Sequence, residues 1–97
     1  MKTKDEIIAI LRNFKEEFGE RYGIEKLGLF GSVARGEQKE DSDIDICIKL
    51  QEPDYFTRME IKEFLEKLFN AKVDVVSLTA IIRSLFRNHI EKDAIYI

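Results

Sequence analysis

The sequence predicts an α/β domain of the α+β kind, a mixed central β-sheet with flanking helices, and three features of its pattern predict it. Apolar residues recur at three- and four-residue intervals in two long stretches, Ile7 to Tyr22 and Ile61 to Leu68, as amphipathic helices require. Between them Ile44, Ile46 and Ile48 alternate with Asp43, Asp45 and Cys47, the two-residue period of a strand with unlike faces. Two short apolar runs, Leu27 to Phe30 and Val73 to Val76, read as further strands, the first cut off by Gly31-Ser32 and the second rich in β-branched residues.

Taken in order, Thr3-Lys4-Asp5-Glu6 matches a capping box, so a helix begins there; Ile7, Leu11, Phe14, Phe18 and Tyr22 form its stripe. Gly23 is placed to end it in a left-handed conformation, giving a first helix over residues 4–22. The strand at 27–30 follows, then a turn of helix over 33–36 and a wholly polar loop over 37–42. The alternating strand covers 43–49. Pro53-Asp54 opens the second long helix, which ends near Asn70, and the valine-rich strand covers 73–76. Ile82, Leu85, Phe86 and Ile90 mark a last helix, and Ala94 to Ile97 a closing edge strand.

Size and composition bound the function. With 97 residues the chain is expected to form one domain over 1–97, with one core and no second, substrate-gripping domain. No apolar run approaches the roughly 20 residues that span a bilayer, and the N-terminus lacks a small-residue cleavage site, so no membrane association and a cytoplasmic location are expected. Cys47 is the only cysteine, which rules out an internal disulfide and a thiolate metal cluster. A net charge of -3 argues against a domain that coats nucleic acid non-specifically.

The unexplained feature is the spending of acids on apolar strands. Asp43 and Asp45 project on one side of their strand, with α-carbons roughly 6.5–7 Å apart. Two carboxylates drawn to about 4 Å at an effective dielectric near 20 repel by on the order of 4 kcal/mol, and no Lys or Arg lies in that strand before Lys49. A divalent ion compensates economically, and oxygen ligands suit Mg²⁺ or Mn²⁺. Asp74, alone among valines, adds a third carboxylate if its strand lies beside the first. Three acids around two ions suit in-line phosphoryl or nucleotidyl displacement.

The Gly-Ser turn fits the same chemistry. Gly31 allows the backbone close to a phosphate, Ser32 supplies a hydroxyl, and Arg35 is placed to add charge. Glu37-Gln38 stands where a P-loop needs Lys-Ser/Thr, which excludes GTPases and ATPases of that type.

Gly31-Ser32-Val33-Ala34-Arg35-Gly36 followed by Ser42-Asp43-Ile44-Asp45-Ile46 strongly resembles the signature of the minimal nucleotidyltransferase family, within the DNA polymerase beta superfamily. The resemblance implies the nucleotidyltransferase fold. It implies that Gly31 and Ser32, with Arg35 and Ser42, bind the nucleotide of ATP, that Asp43 and Asp45 hold two metal ions, and that Asp74 is the third carboxylate, ligating the catalytic ion and helping to activate the acceptor hydroxyl. The reaction implied is transfer of AMP from ATP to a protein hydroxyl with release of pyrophosphate. Small members of the family are often antitoxins encoded beside a HEPN-domain toxin, so the partner implied is such a toxin. The alternative is a non-catalytic binding module that sequesters its partner.

Other residues carry blander expectations. His89 is assigned a surface or packing role, and Cys47 is read as a buried small hydrophobe although it shares the acidic face by parity. Arg83 and Arg87, four apart, share a helix face that is solvated by default.

Overall fold

A computed structural model describes residues 2–85, 90 and 92–97 of the chain. The first helix, α1 (Lys4–Tyr22), starts where the capping box places it: Glu6 N donates to Thr3 Oγ1 at 3.2 Å and Thr3 N donates to Glu6 Oε1 at 3.0 Å. It stops at Gly23, whose φ of 66° is left-handed. Then follow β1 (Ile24–Phe30), α2 (Gly31–Ala34), β2 (Ile44–Leu50), α3 (Tyr55–Phe69), β3 (Val73–Ser77), α4 (Ala80–Leu85) and β4 (Ile95–Tyr96). Asp54 caps α3 by accepting from Thr57 N at 3.2 Å, and Asn70 closes it at φ 51°.

The four strands form one mixed sheet in the order β3-β2-β1-β4. β1 runs antiparallel to both β2 and β4, whereas β2 and β3 are parallel. A parallel pair cannot be joined by a tight turn, and α3 supplies the crossover. One face of the sheet buries Leu27, Leu29, Ile44, Ile46, Ile48, Val73 and Val75 in a single cluster with Ile7, Leu11 and Phe14 of α1 and Ile61, Leu65 and Phe69 of α3. Each such aliphatic or aromatic side chain contributes about 1.5–3 kcal/mol on burial, so this face holds the fold together. The opposite face carries Gly28, Phe30, Asp45, Cys47, Asp74 and Val76 by the alternation of the strands.

Several boundaries differ from those the sequence predicts. β1 begins at Ile24 rather than Leu27, because a register irregularity between Ile24 and Lys26 leaves Glu25 and Lys26 exposed and breaks the apolar pattern. The short helix spans Gly31–Ala34, not 33–36, and so takes in the Gly-Ser turn. β2 is shifted by one residue, which leaves Asp43 just before the strand. The closing strand does lie at an edge, as expected. Of the last helix, Phe86, Arg87 and His89 lie outside the described residues, as does the Arg83 side chain; Ile90 is buried. No helix among the described residues is long and apolar enough to cross a membrane.

Candidate active site

The end of β1 meets the start of β2: Phe30 pairs with Asp45, and the next residue, Gly31, has a φ of +75°. A Cβ built on Gly31 would stand 3.0 Å from Asp45 Cγ and 3.2 Å from Asp45 Cβ, and would collide with Asp45 Oδ2. The glycine is therefore required twice, by its left-handed backbone and by the carboxylate lying against its α-carbon. On its other side Asp45 pairs with Asp74 of β3, in parallel register, so the two side chains stand abreast on one face. The sequence leaves the neighbourhood of the second and third strands open; the α3 crossover decides it.

These residues open onto a cavity of about 270 Å³ lined by Phe30, Asp45, Asp74, Val75, Val76 and Ile90. Asp43 and Asp74 are exposed, whereas Asp45 is half-buried. Burial pushes the Asp45 carboxyl above the ordinary carboxylate value, and the charges of Asp74 and then Asp43 push it further; Arg35 pulls the other way. Both of the other carboxylates named from the sequence thus act on Asp45.

The remaining named residues fall around this cluster. Ser32 is half-buried at the start of α2, and its hydroxyl makes no hydrogen bond among the described residues. Arg35 caps α2 and is held by two carboxylates, its Nε donating to Glu37 Oε2 at 3.0 Å and its Nη1 to Asp93 Oδ2 at 2.9 Å. Ser42 staples the polar loop: its Oγ accepts from Lys39 N at 2.8 Å, and its N donates to Lys39 O at 3.0 Å. Cys47 shares the acidic face and is fully buried. Burial pushes its thiol up to about 11, which fits an inert small side chain and not a nucleophile.

A hard divalent cation suits the donor set, since carboxylate oxygens are its preferred ligands and the cluster is short of positive charge. As the side chains stand, no three of His, Cys, Asp and Glu among the described residues form a finished cage. Mg²⁺ characteristically takes only one or two carboxylates and completes its shell with phosphate oxygens and water, so an unfinished protein cage is compatible with it.

Sequence reasoning missed Asp93 and Ile90, which come to the site from the far end of the chain. No local signal marks them, because Asp93 meets Arg35 across 58 positions.

Known proteins resemble this chain in sequence and in fold. A family model described as a nucleotidyltransferase domain matches residues 11–97. A Methanocaldococcus jannaschii protein provisionally named a protein adenylyltransferase is 48% identical over 82 residues, covering 84% of this chain and 95% of that protein. The protein adenylyltransferase MntA of Thermococcus cleftensis is 38% identical over 98 residues, covering 100% of this chain and 98% of that protein. Among solved structures, a toxin-antitoxin crystal structure with AMP-PNP superposes with a TM-score of 0.70 at 25% identity, covering 98% of this chain and 72% of that one. With the match running from Leu11 to the last residue and the signature residues gathered at one end of the sheet, this chain belongs to the nucleotidyltransferase domain family.

Proposed function

We propose that the protein transfers AMP from ATP to a hydroxyl of a partner protein, and that it is the antitoxin of a HEPN-type toxin. The observation that carries the reading is the nesting of Asp45 against Gly31 with Asp74 abreast of it, which puts a close-approach backbone and two neighbouring carboxylates in one place. The names of the relatives from Thermococcus cleftensis and Methanocaldococcus jannaschii support AMP as the group and a protein as its acceptor. The toxin-antitoxin structure holding AMP-PNP supports a toxin as partner and ATP as donor.

In this reading Gly31 and Ser32, with Arg35 and Ser42, bind and orient the nucleotide, and Asp43, Asp45 and Asp74 hold two Mg²⁺ ions. The ions, when bound, offset the phosphate and carboxylate charge and stabilise the attacking and leaving oxygens of an in-line displacement. Asp74, exposed at the mouth, faces an incoming acceptor and draws off its hydroxyl proton. The acceptor oxygen bonds to the α-phosphorus as the bond to pyrophosphate breaks. The exposed mouth suits a protein acceptor, which supplies the missing wall of the site.

The test is incorporation of label from α-³²P-ATP and Mg²⁺ into a HEPN-domain protein encoded beside this one. Wild type should label it, and Asp43→Asn should lose labelling while still forming the complex. Should Asp43→Asn neutralise the toxin in cells as well as wild type, sequestration and not transfer is the biological activity.

A further inference from the structure

We propose that Asp93 is a positioning residue that aims the Arg35 guanidinium at the phosphates of the bound nucleotide. The inference rests on the reading that the Gly31-Ser32 turn takes the triphosphate. Arg35 leaves the backbone one helical turn after that turn, with its N–H donating to Gly31 O at 3.1 Å. Left alone, an arginine at the end of a four-residue helix would sweep a wide volume, and fixing its side chain on a ligand would forfeit rotamer freedom. Asp93 and Glu37 fix it in advance.

The two anchors differ. Glu37 is two residues away, and its side chain is 65% exposed, a weak and local tether. The Asp93 side chain is only 16% exposed, against 39% for Arg35. Asp93 also belongs to a segment fastened elsewhere: Ala94 N donates to Ile90 O at 2.8 Å, β4 is laddered to β1, and Lys15 Nζ donates to the Ile97 carbonyl at 2.9 Å. Asp93 is thus the fixed member and Arg35 the aimed one. Asp93 is the less exposed partner, which makes it a firmer anchor for the guanidinium than Glu37. The two bonds use two of five guanidinium donors, and the rest remain for phosphate. The charge of Arg35 is felt at Asp45, where it opposes the rise caused by burial and by the neighbouring carboxylates.

The test is calorimetric titration of the full chain with AMP-PNP and Mg²⁺, in a double-mutant cycle. Asp93→Asn should weaken binding about tenfold, a step worth about 1.4 kcal/mol. Asp93→Glu should recover most of the loss, and Asp93→Asn should add nothing in an Arg35→Ala background. Unchanged or tighter binding by Asp93→Asn overturns the inference while leaving the transferase reading intact. An equal loss in the Arg35→Ala background overturns it too, since Asp93 would then act on the fold. Absence of binding by wild type sinks both.

Discussion

Gly31 and Asp45 are fitted to each other: the glycine α-carbon, held at φ +75°, is the surface against which the carboxylate lies, and a single methyl group there would stand 3.0 Å from Asp45 Cγ. Fold and chemistry meet at that contact, because the residue that turns the chain out of β1 also sets where the most buried of the three acids points.

Gly31→Ala should therefore act on both. The left-handed backbone and the displaced carboxylate together should cost about 1–3 kcal/mol of stability by chemical denaturation. Nucleotide binding should be lost even at temperatures where the variant remains folded. An alanine variant that binds AMP-PNP normally would show that Asp45 needs no such support.

Asp45→Asn should separate stability from activity. The fold raises the Asp45 carboxyl, so the native protein holds that proton more tightly than the unfolded chain does. Stability from this group is unaffected below the unfolded value of about 3.9 and falls as pH rises from there through the raised native value. The melting temperature of Asp45→Asn minus that of wild type, without added metal, should therefore grow across that window and level off above it. At neutral pH the variant should melt higher by a few degrees, on a scale of about 4–8 °C per kcal/mol for a domain of this size. It should transfer no AMP. A variant less stable than wild type at neutral pH would refute the repulsion at the site. Mg²⁺ with ATP should raise the melting temperature of wild type but not of Asp45→Asn.

Cys47 should resist alkylation in the folded protein. It is fully buried and its thiol is pushed up to about 11, so iodoacetamide at pH 8 should label it only after unfolding. Gly28→Ala should change this, since the added Cβ would stand 2.8 Å from Cys47 Sγ and 3.0 Å from the Tyr96 ring. Overpacking of that kind costs about 1–3 kcal/mol, and loosening Tyr96 should open the thiol to reagent. Mass spectrometry of the labelled chain reads both results.

The sequence by itself determined the order of elements, the caps of α1 and the acidic motif, because each is written in residues a few positions apart. Thr3 and Glu6 cap a helix wherever it lies, and Ile44, Ile46 and Ile48 make a two-faced strand in any sheet. It also named Gly31, Ser32, Asp43, Asp45 and Asp74 as belonging together. Tertiary structure alone decided how they meet. The α3 crossover brings Val73 to Ser77 beside β2 in parallel and sets Asp74 against Asp45; a slip of one residue would turn Asp74 to the other face. Only the return of the chain to the edge of β1 brings Asp93 onto Arg35. Local periodicity fixes which way a side chain faces within its own element, whereas register and long-range pairing depend on how whole apolar faces close on one another, and no window of the sequence holds that information.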